Sequence, residues 1–244
     1  MMFNDHNVRI SSKAKIGQNV RIGDDSVIYD NVTIGDNSTI ANNCSIGEPT
    51  SEFYSTSDYK NARTVIGSNS LIRSNAIIYA GVMIGTNLET GHRCTIREGS
   101  VIGGNCRIGT LCDLQGHLEI GDYCNLHSSV HLCQHSKLGD YVFLYPYVVL
   151  ANDKYPPSEE VIGPEIGDYS QIGVHSVVIG KVKIGANCLL GARTTVTKDV
   201  DDFSFVVGSP SKRLSDVREI TSEQGKQLYP WSARFSRGMP WKKD

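Results

Sequence analysis

The sequence lacks the features that mark membrane, secreted and nucleic-acid-binding chains. No stretch of about 18 apolar residues occurs, and the N-terminus has no apolar signal-peptide core. The formal net charge of −2 and the isoelectric point near 6.4 offer no basic surface to nucleic acid or anionic lipid. We therefore expect a cytoplasmic chain with no membrane span and no nucleic-acid partner.

What the sequence has instead is an aliphatic residue at every sixth position, usually followed by glycine. The pattern runs from Ile10 to Ile46, from Ile66 to Leu150 and from Ile166 to Val196. Repetition at a fixed period indicates stacked units that bury one continuous core. If the aliphatic position is i, residue i−2 is small and residue i−1 is polar. This is the in–out–in alternation of a short strand.

Position i+1 is usually glycine, and i+3 is often asparagine or aspartate. These residues tolerate left-handed backbone angles, so each strand should end in a sharp corner. Three hexads close a coil of 18 residues, and roughly 28 hexads make about nine coils. The pattern predicts an all-β parallel β-helix over residues 1–200, followed by a C-terminal extension at 201–244.

The seven cysteines fit this repeat better than a metal or disulfide framework. No Cys-X-X-Cys motif occurs, and only Cys133 stands at i+1. The pairs at 94 and 112 and at 106 and 124 are each separated by one whole coil, so each should stack inside the core as small buried thiols. We expect free cysteines and no metal site. The six cysteines at the inward i−2 position are Cys44, Cys94, Cys106, Cys112, Cys124 and Cys188.

Two segments interrupt the period, at residues 47–64 and 151–164. Long loops on a rigid scaffold are commonly functional, and the alternative interpretation is a tolerated surface insertion. Beyond the last hexad, residues 215–228 are compatible with a short helix capped by Ser215. The tail at 229–244 is aromatic and basic, which suggests docking on a surface.

The regular length of the coil predicts columns of polar side chains. His131, at the outward i−1 position, should lie one coil above Asp113. His135, at the i+3 corner, should lie one coil above His117 and one below Asp153. A histidine beside a carboxylate is kept basic, as a general base acting on an amine or hydroxyl requires. Alternatively, these histidines fill left-handed corners or pack in a subunit interface.

The repeat resembles that of the left-handed hexapeptide-repeat β-helix family over about residues 8–200, and this resemblance implies the left-handed winding. Four segments are similar to the nucleotide-sugar and polysaccharide acetyltransferases of that family. They are TGHRCTIRE at 90–98, VFLYPYVVLANDKYPP at 142–157, GVHSVVIGKVKIGANCLLGARTTVTKDV at 173–200 and VVGSPSKRL at 206–214.

The resemblance implies acyl transfer from coenzyme A in a homotrimer with active sites between neighbouring subunits. Acetyl-CoA would be a co-substrate, with no bound cofactor. The acceptor would be an amine or hydroxyl of a nucleotide-linked sugar or surface-polysaccharide precursor. Some members that act on amino sugars have no side-chain base, because a neutral amine attacks unaided.

The segment VHLCQHSKLGD resembles the catalytic-histidine segment of the UDP-N-acetylglucosamine acyltransferases, in which one histidine is followed by a second at the third position after it. The first corresponds to His131. The position of the second is occupied by Gln134, with His135 one place along. The resemblance implies His131 or His135 as the base, supported by Asp113 or Asp153.

The resemblance also implies further binding residues. Asn152 and Asp153 would border the sugar site together with Gln134. The late coils would line the coenzyme A channel, with backbone amides along the pantetheine arm and cations at its phosphates. The residues implied for coenzyme A are Gly173, Gly191, Ala192, Lys198, Lys212 and Arg213.

Two other classes share this architecture. A zinc-dependent γ-type carbonic anhydrase needs two histidines two coils apart. However, Thr95 and Gly99 stand two coils before His131 and His135. A non-catalytic scaffold is the second alternative. Ice-binding scaffolds need regular outward threonine ladders, whereas the outward row here mixes arginine, lysine, threonine, glutamate and histidine.

Overall fold

The computed structural model describes residues 6–231. It divides the chain into two compact units, unit 1 at Met1–Leu118 and unit 2 at Glu119–Asp244. Within residues 6–231 there are thirty short strands and two 3-10 turns, and no helix has the length and apolarity that a bilayer crossing requires. The all-β prediction is confirmed.

Unit 1 contains strands β1 to β16 and a 3-10 turn at Ser51–Tyr54. Each strand pairs in parallel with the third strand before or after it, so that equivalent residues of successive coils are partners, such as Ile10 with Ile28. The sheet orders are β1-β4-β7-β10-β13-β16, β2-β5-β8-β11-β14 and β3-β6-β9-β12-β15. The strands are β1 Arg9–Ile10, β2 Lys15–Ile16, β3 Arg21–Ile22, β4 Val27–Ile28, β5 Val32–Ile34, β6 Thr39–Ile40, β7 Ser45–Glu48, β8 Thr64–Ile66, β9 Leu71–Ile72, β10 Ile77–Tyr79, β11 Met83–Ile84, β12 Glu89–Thr90, β13 Thr95–Ile96, β14 Val101–Ile102, β15 Arg107–Ile108 and β16 Asp113–Leu114.

Unit 2 repeats the arrangement in sheets that we number first, second and third. Their orders are β19-β22-β25-β28, β17-β20-β23-β26 and β18-β21-β24-β27-β29-β30, with β30 antiparallel. A 3-10 turn at Val217–Glu219 follows β30. The strands are β17 Glu119–Ile120, β18 Asn125–Leu126, β19 His131–Leu132, β20 Lys137–Leu138, β21 Phe143–Leu144, β22 Val149–Leu150, β23 Glu165–Ile166, β24 Gln171–Ile172, β25 Val177–Val178, β26 Lys183–Ile184, β27 Leu189–Leu190, β28 Thr195–Val196, β29 Ser204–Val207 and β30 Lys212–Asp216.

The coil count differs slightly from the predicted nine. Summed over the two units, the three sets of sheets contain ten, nine and eleven strands. In the set of eleven, the excess comes from β29, which pairs in parallel with β27, and from β30, which pairs with β29. Both strands lie beyond the last hexad of the repeat. The boundary between residues 1–200 and 201–244 stays a prediction.

The burial pattern follows the hexad. From Ile22 to Val196 the aliphatic i residues form the core, whereas Ile10 and Ile16 of the first coil are exposed. All six i−2 cysteines are buried, and Cys133 is half-buried. None of the seven cysteines, all of which lie within residues 6–231, forms a disulfide there. Burial raises the pKa of the Cys94 thiol to about 12. These thiols therefore pack as small apolar side chains.

The corners lie where the i+3 residues predict them. The non-glycine residues in the left-handed region have φ between 51° and 65°, and they include His117, His135 and His175. The prediction that i+1 glycines turn the chain is wrong for Gly167, which has no positive φ. A Cβ there would lie 2.6 Å from Ala186 N and from Gly185 C of the next coil. Close approach of two coils, and not backbone angle, requires glycine at this position.

The predicted helix at residues 215–228 is wrong. Ser215 pairs with Phe205 in the β29–β30 hairpin and is no helix cap. Asp216 caps the 3-10 turn at Val217–Glu219 instead, accepting a hydrogen bond from Arg218 N at 2.9 Å. Strand pairing with the end of the solenoid replaces the helix. Most of the aromatic and basic tail lies outside the described residues, which end at Trp231.

Candidate active site

His131 stands on the outward side of β19, in the first sheet of unit 2. It is half-buried, and its column continues through Val149, Val177 and Thr195 in the register of that sheet. The neighbouring Leu132 points inward and is fully buried, which fixes the side on which His131 emerges. An imidazole therefore lies at the edge of a largely apolar outward column.

Gln134 and Asn152 occupy the same position in successive coils of unit 2, the second place after the buried Leu132 and Leu150. Both are half-buried. The loop leaves the solenoid at Asn152 and returns at Ile162, whose N–H donates to Asn152 O at 2.8 Å. Gly180 allows this closure, because a Cβ there would lie 2.7 Å from Asn152 C and 2.8 Å from Ile162 O. Asn152 is thus held at the base of the loop, in the same half-buried layer as Gln134.

The Asp153 carboxylate organises this loop. It accepts hydrogen bonds from Tyr155 N at 2.9 Å, from Ser158 N at 2.8 Å and from Ser158 Oγ at 2.8 Å. Partial desolvation acts to raise the pKa of Asp153, but the hydrogen bonds from Ser158 and Tyr155 outweigh it and lower the pKa. Lys181 also forms an ion pair with Glu160 of the loop. The sequence predicted the loop but not this role for Asp153.

The expected column of His135 below Asp153 is wrong. His131 pairs with Val149 across a regular coil, but Val149 pairs with Val177 across a coil that the loop at 151–164 lengthens. The residue that packs on the His135 corner is Gly163, where a Cβ would lie 2.5 Å from His135 C. His135 itself is exposed at a left-handed corner with φ of 63°.

Asp113 and His117 belong to unit 1. Gln115 Nε2 donates to Asp113 Oδ2 at 2.5 Å, and the carboxylate is half-buried. His117 lies against Gly99, where a Cβ would be 2.4 Å from His117 Nδ1. Support of His131 by Asp113 stays a prediction.

Only one of the three implied pantetheine amides is available as a donor. Gly173 N donates to Leu190 O at 2.9 Å, and Gly191 N donates to Val206 O at 2.9 Å. The part of the chain at residues 6–231 gives the exposed Ala192 N no acceptor. A ligand carbonyl that approaches this stretch of backbone can therefore take its hydrogen bond from Ala192.

The implied phosphate-binding cations differ in the charge that they offer. Arg213 lies 3.7 Å from Asp216 Oδ2, a carboxylate held mainly by Arg218 at 2.7 Å. Lys198 and Lys212 are exposed and form no ion pair with any residue in the described range. Of the three, the two lysines carry the less neutralised charge.

One feature that the sequence reading missed is the contact between Tyr147 and His175. Their rings stack at 4.7 Å with an interplanar angle of 5° at successive left-handed corners. The repeat could have predicted this contact, since both residues occupy position i+3 of hexads that align in the same sheet.

Across residues 6–231, no three histidine, cysteine, aspartate or glutamate side chains cluster as a metal ion would need.

Comparison with known proteins identifies the repeat. The family model described as bacterial transferase hexapeptide (six repeats) matches residues 13–48 and 163–198. The model described as hexapeptide repeat of succinyl-transferase matches residues 63–88. Serine acetyltransferase 4 of Arabidopsis thaliana is 39% identical over 56 residues, which are 23% of this chain and 16% of that protein. The chain thus spans about a sixth of the length of this relative.

Solved structures share the fold over much greater lengths. The UDP-N-acetylglucosamine acyltransferase of Arabidopsis superposes with a TM-score of 0.60 at 17% identity, covering 86% of this chain and 73% of that chain. A second UDP-N-acetylglucosamine acyltransferase gives a TM-score of 0.52 at 22% identity, covering 84% and 70%. At these identities the likeness is one of fold. The matched repeats and the coil-to-coil register show that the chain carries hexapeptide repeats stacked as a parallel β-solenoid, and such repeats indicate a left-handed β-helix.

Proposed function

We propose that the chain is an acyltransferase that moves an acetyl group from acetyl-CoA to an amine or hydroxyl of a nucleotide-linked sugar or surface-polysaccharide precursor. The position of His131 carries the proposal. It is a half-buried imidazole on the outward side of β19, in register with Val149, and Gln134 follows it three residues later in the same coil. The names of similar proteins, serine acetyltransferase and UDP-N-acetylglucosamine acyltransferase, support the reaction class.

The proposed step is a direct transfer. His131 takes the proton of the acceptor amine or hydroxyl as its nitrogen or oxygen attacks the thioester carbon. The tetrahedral oxyanion is stabilised by a backbone amide at a coil corner, and its collapse breaks the carbon–sulfur bond. The thiolate of coenzyme A leaves and is protonated.

The polar groups around His131 have separate roles in this proposal. Gln134 and Asn152 orient the acceptor, since an amide can both donate and accept hydrogen bonds. Asp153 has an indirect role, because its hydrogen bonds hold the loop at the border of the site. His135 is the alternative base.

Coenzyme A would lie along the late coils. Ala192 N donates to a pantetheine carbonyl, while the exposed ammonium groups of Lys198 and Lys212 meet the phosphates. Arg213 contributes less, because Asp216 partly neutralises it. The acyl thioester is a substrate in this scheme, and no resident cofactor is invoked.

We also propose that the protein is a homotrimer with sites completed by a neighbouring subunit. The flat sheets of the solenoid have outward rows that are only partly charged, as the row of His131, Val149, Val177 and Thr195 illustrates. Light scattering at micromolar concentration should give three times the chain mass. A monomeric mass would contradict the shared site.

The proposed function is tested by thiol release from acetyl-CoA with a panel of amino-sugar nucleotides. His131→Ala should lower kcat by about 10²–10⁴, the span for loss of a general base. His135→Asn should be milder, because asparagine suits a left-handed corner. His175→Asn is the matched control, since it changes another corner histidine of unit 2 and should leave kcat unaltered.

The pattern of results distinguishes three mechanisms. If kcat falls further in His135→Asn than in His131→Ala, the general base is His135 at the left-handed corner. Losses of no more than a few-fold in both variants mean that an amine acceptor attacks unaided, and the rate should then rise with pH through the pKa of the amino sugar. Absence of thiol release with every acceptor, together with no binding of coenzyme A, would favour a scaffold.

A further inference from the structure

The loop at residues 47–64 of unit 1 is an ordered insertion. Ile28 pairs with Ile46 across a regular coil, whereas Ile46 pairs with Ile78, so the loop makes this coil longer than the regular one. Its base is fixed by Asn61, which is nine-tenths buried and whose Nδ2 donates to Gly47 O at 2.7 Å. Ordering each residue costs about 1–2 kcal/mol of backbone entropy, so an ordered insertion calls for a reason.

The tip of this loop presents aromatic rings to solvent. Phe53 is 51% exposed and Tyr54 is 77% exposed. Phe53 contacts Tyr54 edge-on at 5.2 Å and Tyr59 at 5.7 Å, and the Tyr59 hydroxyl accepts a hydrogen bond from Thr50 N at 3.1 Å. Single exposed apolar residues are ordinary, but here two exposed rings contact each other and are held at one loop tip, which gives a ligand a continuous apolar surface to contact.

Beside these rings lies a hydrogen-bonded polar group. The Ser45 hydroxyl donates to the Glu48 carboxylate, and the Tyr29 hydroxyl is bonded to the same carboxylate. Burial and the charge of Glu48 raise the pKa of Tyr29, so its hydroxyl stays protonated. Tyr54 is close enough to Tyr29 to affect it electrostatically. We call Tyr29, Ser45, Glu48, Phe53 and Tyr54 the loop patch.

The charges around the loop patch disfavour an anionic ligand. Residues 47–64 contain three acidic and two basic side chains, a net charge of −1. Arg97, which lies 5.6 Å from the Tyr79 ring, is bidentate to Glu98 at 2.7 and 3.1 Å. The positive charge of Arg97 is therefore neutralised by Glu98. A ligand of this surface should have an apolar face, hydroxyl donors and no phosphate.

We infer that the loop patch binds a neutral saccharide. The C–H face of a pyranose stacks on Tyr54 and Phe53, which offer flat, rigid apolar area with few rotatable bonds. Its hydroxyls donate to the lone pairs that Ser45 and Tyr29 leave open on Glu48, since a carboxylate has about four acceptor sites. A sugar ring meets both requirements, whereas a purely aliphatic chain has no hydroxyl to donate to Glu48.

The experiment measures binding to the full chain by saturation-transfer NMR and calorimetry, without acetyl-CoA. The probes are maltotriose and tri-N-acetylchitotriose, two neutral pyranose trisaccharides. At least one should bind, and Tyr54→Ala should weaken its binding about tenfold or more, as loss of a central aromatic contact does. Glu48→Gln, which keeps the shape of the side chain, should weaken it less.

The matched control is Tyr155→Ala, because Tyr155 is 75% exposed on the other loop and should be dispensable. The inference is overturned if neither trisaccharide binds, or if Tyr54→Ala binds as tightly as the parent chain. It is also overturned if Tyr54→Ala lowers the mass in light scattering, since the patch would then be a contact between copies. The readout is independent of acyl transfer, so failure of the proposed reaction would leave it standing.

Discussion

Replacing Ala192 with proline removes one hydrogen-bond donor from the proposed coenzyme A channel with little change to the solenoid. The amide of Ala192 has no acceptor within residues 6–231, so no intrachain bond is lost. Leu144, Ile172 and Leu190 align in the third sheet of unit 2, which makes Pro146 and Val174 the equivalents of Ala192 in earlier coils. The chain itself thus places proline at this corner.

The expected size follows from the bond that is removed. A neutral hydrogen bond contributes about 0.5–1.5 kcal/mol net, which corresponds to roughly a 2- to 12-fold change in affinity. The bond is made in both ground state and transition state, so Ala192→Pro should raise KM for acetyl-CoA by that factor and leave kcat unchanged. The free energy of unfolding should move by no more than about 0.5 kcal/mol.

Ala192→Val is the control, because it adds similar bulk, retains the N–H and matches Val174. The assay is thiol release with acetyl-CoA varied at saturating acceptor, alongside thermal unfolding. Equal KM values for the proline and valine variants would refute the assignment of Ala192 N as a donor. Early unfolding of the proline variant would refute the equivalence with Pro146.

Three further predictions concern stability and chemistry. Gly167→Ala should destabilise by about 1–3 kcal/mol, since its Cβ meets backbone atoms of the next coil. Gly191→Ala should be milder, because the nearest atom is in the Val207 side chain, at 2.8 Å; equal midpoints in urea would contradict this. All seven thiols should titrate as free in denaturant without reductant, whereas Cys94, with a pKa of about 12, should resist alkylation in the native chain at pH 8. A disulfide within the core would contradict this. The pKa of Asp153 is depressed in the folded chain, so its stabilisation of the loop is present above the ordinary pKa near 4 and lost as pH falls through the lower, folded value. Proteolysis within residues 151–164 should accelerate at acid pH, and Asp153→Asn should show the faster cleavage at neutral pH. A cleavage rate independent of pH in the parent chain would count against this role.

The sequence by itself determined the solenoid, because the information is local and repeated. An aliphatic residue at i and a small residue at i−2 face one way along a short strand, and an i+3 residue that tolerates positive φ turns the corner. The buried Ile34, the buried Cys94 and the left-handed Asn37 follow this rule without reference to any distant residue. The outward position of His131 follows from the same alternation.

Where the period breaks, only the tertiary structure decided the outcome. Counting by whole coils fails across the loop at 151–164, so Gly163 and not Asp153 packs on the His135 corner. The start of the segment predicted to be helical, residues 215–228, instead pairs as part of β30 with β29. This pairing satisfies backbone N–H and C=O groups at the end of a sheet. The tertiary structure also decided which of the three implied backbone amides has no acceptor within residues 6–231. Gly173 N and Gly191 N are used by the neighbouring coil and Ala192 N is not, a difference set by the position of each N–H relative to the coil above.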